Sequence, residues 1–161
     1  MTARLKLEPA RYSETVDSML RLGAVVRRSS LERELLELVK VRASQINGCG
    51  FCLDMHTKDA RAQGETEQRL YLLAAWREAN VYSDRERAAL AWTEAVTRLE
   101  HQEVPDTAYE QARSQFSEEE LVALTLAVVE INGWNRFSIA FRNPAGDYQP
   151  GSLARIAATQ S

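Results

Sequence analysis

Cysteine is scarce in this 161-residue chain: it occurs twice, at Cys49 and Cys52, and one of only two histidines follows at His56. All three lie in the stretch INGCGFCLDMH, residues 46–56. A metal clip, a redox dithiol and plain core packing all use such residues. If Cys49 opens a helix, Cys52 lies one turn on and His56 four residues further, which puts the three within about 60° of one another around the axis. A cysteine in the first turn meets unpaired N–H groups and the positive end of the helix dipole, and both favour thiolate. His56 reaches back one turn toward Cys52 and can take its proton, directly or through water. Thiolate is the form that attacks an electrophilic sulfur or oxygen. A second thiol one turn away can then close a disulfide.

The competing chemistries fit less well. Buried cysteines behave as small hydrophobes, yet this chain places its only two three residues apart, directly after a turn. A structural zinc takes four ligands, whereas the stretch supplies three and no second cysteine pair follows. His101, the other histidine, reads as a solvated loop residue. The redox dithiol carries most of the weight. A thioredoxin framework is excluded, because no βαβ pattern surrounds the pair.

The elements that must position these groups read as helices throughout. Ser29-x-x-Glu32, Ser83-x-x-Glu86 and Ser117-x-x-Glu120 have the form of capping boxes, in which each partner satisfies an orphan N–H. They predict helices at about 9–24, 31–46, 49–63, 65–79, 84–100, 105–115 and 118–141. Asn47-Gly48 marks the turn ahead of the cysteines, Gly64 suits a helix C-terminus, and Pro105 suits a first helical position. The run LVALTLAVVEI, Leu121 to Ile131, is apolar almost all round and predicts a central buried helix. Glu130 interrupts that run and, if buried, calls for a charged partner such as Arg136. Trp76 and Trp92 read as core, and Trp134 and Phe137 as core or interface. The expected architecture is all-α: one compact multi-helix domain over 1–161, with an irregular tail from 143 that packs on a neighbour.

Composition narrows the function. A net charge of −3, with 45% hydrophobic and 27% charged residues, gives no bulk attraction to nucleic acid or anionic lipid. No segment approaches the ~20 apolar residues of a membrane span, and the N-terminal stretch lacks the apolar run of a signal peptide. A cytoplasmic location is expected. There, disulfides are uncommon unless catalytic or redox-sensing.

The stretch LELVKVRASQINGCGFCLDMHTKDARAQGE resembles the carboxymuconolactone decarboxylase-like superfamily, and within it the AhpD branch of alkylhydroperoxidase-type dithiol proteins. The resemblance continues through REANVYSDRERAALAWTEAVTRL and EINGWNRFSIAFR and covers about residues 31–142. The family pattern Glu-x11-Cys-x2-Cys-x3-His is matched by Glu37, Cys49, Cys52 and His56. The resemblance implies an AhpD-like fold and a dithiol peroxidase that reduces hydroperoxides. It makes Cys52 the peroxidatic thiol, Cys49 the resolving thiol, His56 the base and Glu37 a relay partner of His56. Thioredoxin logic would instead make Cys49 the nucleophile; the one-turn separation of His56 from Cys52 favours Cys52. Periodicity alone reads Glu37 as solvated, beside Lys40 and Ser44 and away from Leu35, Val39 and Ile46. Only the resemblance promotes it.

No bound cofactor is expected, only an external dithiol reductant, which in the family can be a lipoyl-bearing protein. A homo-oligomer, trimer or hexamer, is also implied. Phe51 is a departure, since the best-known branch has a histidine before the second cysteine, and it leaves reductant and substrate preference open. General thiol–disulfide exchange, and a non-catalytic redox-sensing oligomeric module, are the alternative functions.

Overall fold

The computed structural model describes residues 2–152. Among the described residues the chain forms seven α-helices and no strand. They are α1 (Pro9–Arg27), α2 (Arg33–Asn47), α3 (Gly50–Ala62), α4 (Glu67–Leu72), α5 (Asp84–Arg98), α6 (Asp106–Arg113) and α7 (Glu118–Phe141). Two 3-10 turns, Leu73–Ala75 and Glu100–Gln102, follow α4 and α5.

Two of the three expected capping boxes form. Ser83 and Glu86 close reciprocally at the start of α5, and Ser117 and Glu120 do so at the start of α7. The third does not. Ser29 Oγ donates to the Val26 carbonyl and so closes the end of α1 instead. Leu31 is drawn into the core, Glu32 becomes the N-cap of α2, and its carboxylate accepts from Arg85 at 2.9 Å. Pro105 is the N-cap of α6 with ψ 139°, one residue ahead of the expected position.

The helix expected over 65–79 is broken. Thr66 caps α4, and the chain then tightens into the 3-10 turn. Trp76 is buried there, with its indole N–H donating to Glu94 of α5. Arg87 donates to the carbonyls of Trp76 and Ala79 at 3.0 and 2.7 Å, at the end of the expected helix, where carbonyls have no helical N–H donor.

The central helix is α2, not α7. Leu35, Leu36 and Val39 pack with Val26, Ala88, Trp92, Leu124 and Val128, while Leu38 and Val41 face Ala60, Leu73, Trp76 and Leu90. A third, small cluster joins Ala43, Cys49, Cys52 and Ile131, with Phe51 against it. Helix α7 buries Leu121, Leu124, Ala127, Val128 and Ile131 but leaves Val122 70% and Val129 50% exposed. Its all-round apolar character therefore spills onto the surface, because α1, α2 and α5 cover only part of its circumference.

Trp76 and Trp92 are buried, with their indole N–H groups donating to Glu94 and Thr125. Trp134 and Phe137 are half-buried rather than in the core, and tilted ring contacts link Trp134 to Phe137 and Phe137 to Phe141 along α7. Glu130 is buried over Gly23 of α1, whereas Arg136 bonds Asn132 and does not pair with Glu130.

The segment after α7 is irregular, as expected, but its described part packs on the chain's own α3. Asp54 accepts the N–H groups of Gly146 and Tyr148 at 2.9 and 3.3 Å, and Lys58 donates to the carbonyls of the same two residues. The Tyr148 hydroxyl donates to Asp59 at 2.9 Å. The expectation for residues 153–161 lies outside the described residues.

Candidate active site

The turn ahead of the cysteines is built by Gly48, which ends α2 at φ 70°, a conformation costly for any residue with a Cβ. The Cys49 N–H then donates to the Ser44 carbonyl at 3.0 Å. A polar network from α7 holds this corner. The Asn47 side-chain amide donates to Asn132 and Asn135 at 2.9 and 2.8 Å, and the fully buried Asn135 donates to Ser44 Oγ at 3.1 Å. Asn132 donates in turn to Thr97 of α5. The sequence predicts helix capping or acid pairing for Asn132, Asn135 and Arg136. Instead, the two asparagines clamp α7 to the α2–α3 corner.

Cys49 is the N-cap of α3 rather than its first helical residue. Its Sγ accepts the backbone N–H of Cys52 at 3.3 Å, so an orphan donor of the helix start is aimed at Cys49. The two cysteines are joined as a disulfide with Cα atoms 5.4 Å apart, and each residue is 1% exposed.

His56 follows one turn after Cys52 and is buried. Its Nδ1 lies 2.9 Å from Glu37 Oε2, and the other carboxylate oxygen accepts from Lys40 Nζ at 3.0 Å. Glu37 thus lies inside the protein, not in solvent as periodicity alone predicts. Burial by itself raises its pKa. The hydrogen bond and charge of His56, and then the charge and hydrogen bond of Lys40, outweigh that penalty and hold the carboxyl at about 2. An ionised carboxylate on Nδ1 fixes the neutral ring with its proton on that nitrogen, which leaves Nε2 as the acceptor.

The four residues singled out in the sequence are therefore placed together: the cysteines in one cluster, His56 on the same helix, and Glu37 across from it on α2. Among the described residues no hydrogen bond joins His56 to either sulfur in this disulfide state, which has no thiol proton to share. His101 sits in the exposed turn after α5, apart from this group. Among the described residues no three His, Cys, Asp or Glu side chains gather as a metal site, and no helix is long and apolar enough to cross a membrane.

The pattern of the carboxymuconolactone decarboxylase family matches residues 14–95, which contain the whole cysteine–histidine–glutamate group. The chain belongs to this family. The match starts within α1, ahead of the expected onset near residue 31, and ends in α5. YdfG of Bacillus subtilis (strain 168), an uncharacterized protein, is 47% identical over 132 residues, 82% of this chain and 90% of its own. A protein of unknown function from Agrobacterium tumefaciens, described as a candidate antioxidant-defence protein AhpD, is 40% identical. It superposes with a TM-score of 0.86 over 91% of this chain and all of its own. An uncharacterized peroxidase-related protein with an alkylhydroperoxidase AhpD core, from Ralstonia eutropha JMP134, shares the fold at 19% identity, with a TM-score of 0.75 over 86% of this chain and 74% of its own. The fold is AhpD-like. The family's own name is that of a decarboxylase, so membership does not fix the reaction.

Proposed function

We propose that this protein is a cofactor-independent dithiol peroxidase of the alkylhydroperoxidase type. The observation that carries this reading is the Glu37–His56 pair, 2.9 Å apart and buried, one helical turn from Cys52 of a Cys-x2-Cys pair. In the reduced protein, Nε2 of His56 takes the Cys52 proton. The thiolate attacks the terminal oxygen of a hydroperoxide, the O–O bond breaks, and the departing alkoxide takes the proton and leaves as alcohol (or water, from hydrogen peroxide). Cys52 is left as sulfenic acid. The Cys49 thiol condenses with it, expelling water and forming the disulfide. An external dithiol, free or carried on a lipoyl-bearing protein, then reduces the disulfide by exchange and is itself oxidised. Self-association belongs to the same reading: Val25, Val122 and Leu126 line an apolar groove between α1 and α7 that a second copy would cover. Hydroperoxide consumption in the presence of a dithiol is expected to vanish in Cys52→Ala. Undiminished consumption in that variant would sink the assignment.

A second reading has its own observation. The helix N–H that Cys49 Sγ accepts at 3.3 Å favours negative charge on Cys49. That is the arrangement of a general thiol–disulfide oxidoreductase in which Cys49 attacks. The rates of disulfide reduction and peroxide turnover at equal protein separate the two, the peroxidase reading requiring the latter to be the faster.

A further inference from the structure

Lys40 has no part in the family pattern quoted above, and by periodicity it belongs to a solvated face. Its surroundings are different. The Lys40 side chain is 13% exposed and the Glu37 side chain 11%, against 46% and 62% for the surface pair Arg61–Glu67. Glu37 is shared: one oxygen meets Lys40 Nζ at 3.0 Å and the other meets His56 Nδ1 at 2.9 Å. The three groups form one line across the α2–α3 contact, and little water screens them.

We propose that Lys40 is a positioning residue of the dithiol site. Its ammonium anchors one oxygen of Glu37, turns the other toward His56, and offsets the carboxylate charge that would otherwise draw a second proton onto the imidazole. A general base works only while its electron pair is free. A buried carboxylate facing an imidazole alone stabilises imidazolium, and a cation on the far oxygen works against that. Lys40 thus leaves Glu37 able to orient the ring while the ring remains a base.

The other ionisable neighbours do not duplicate this role. On α2, Arg42 is turned to Glu94, which it meets at 2.6 Å. On α3 itself, Cys52 is in the disulfide, Asp59 is bonded to Tyr148 of the C-terminal segment, and Lys58 is paired with Asp54 at 2.7 Å. Helix α7 meets the cysteine cluster through Ile131, which carries no charge.

The inference rests on the peroxidase reading only in naming His56 the base, and its test needs no substrate, so the two can fail separately. The imidazole signals of the oxidised protein are followed against pH by NMR. Neither cysteine titrates in that state, and His101, far along the chain in an exposed turn, serves as the internal reference. Removing the cation in Lys40→Met is expected to raise the His56 midpoint by about one pH unit, a tenfold gain in proton affinity, with His101 unmoved. Lys40→Arg, which keeps the charge, is expected to stay close to the parent. A His56 midpoint that is unchanged or lowered in Lys40→Met overturns the proposal, as does an equal displacement in Lys40→Arg. Should Lys40→Met fail to fold, Lys40→Gln keeps the polar stem and is judged by the same outcomes.

Discussion

At the scale of single residues, the site depends on one carboxylate serving two cations or near-cations inside the protein. Glu37 titrates at about 2 in the fold against an ordinary value of 4.5. Its folded pKa is depressed, so its stabilising contribution is complete above about pH 4.5 and is lost as the pH falls through 2. Glu37→Gln is therefore expected to be less stable than the parent by about 2–3 kcal/mol at neutral pH, with the gap closing steadily between pH 4.5 and 2. Chemical denaturation of both proteins across that range checks it, and a gap independent of pH would contradict the ion pairing. The cysteines and His56 were legible in the sequence because their relation is local, three residues and then four along one helix. Glu37 was not. Its burial depends on α3 lying against α2, a contact that a helical wheel of α2 alone does not contain.

At the scale of elements, the corner between α2 and α3 aims the dithiol, and it is held from two sides. Gly48 supplies the left-handed turn, and Asn47 is gripped by Asn132 and Asn135 of α7. No atom stands within 4 Å of a Cβ placed on Gly48, so Gly48→Ala tests backbone strain alone. It is expected to cost about 1–2 kcal/mol, read from the denaturation midpoint. A cost near zero would mean that the corner is free to relax.

Helices with self-contained signals were legible to within a residue or two. α7 runs from its capping box at Ser117 to Phe141 as the sequence predicts. The failures have long-range causes. Trp76 is drawn inside to donate to Glu94 of α5, and Asp54, Lys58 and Asp59 capture a C-terminal segment about ninety residues downstream. Local propensity holds no record of such partners.

For the whole molecule, the all-helical, AhpD-like architecture was legible because amphipathic period and capping point the same way along most of the chain. The identity of the central helix was not. The apolar run of α7 reads as interior, yet α2 occupies the middle, with its buried polar groups satisfied by His56, Glu94 and Asn135. The surplus apolar surface on α7 belongs to the proposed self-association. Sedimentation of the parent is expected to give a mass above one chain, and Val122→Glu, placing a charge on a residue 70% exposed in the single chain, is expected to shift it toward the monomer. A parent that sediments as a monomer would leave that strip without the covering proposed for it.

The central claim is that Cys52 is the sulfur that peroxide oxidises. The direct measurement is a brief hydroperoxide pulse on the reduced Cys49→Ser and Cys52→Ser variants, in the presence of a sulfenic-acid trap, with the adduct mapped by peptide mass spectrometry. An adduct is expected on Cys52 in the first variant, with little or none on Cys49 in the second. An adduct confined to Cys49, or none on either cysteine, would contradict it.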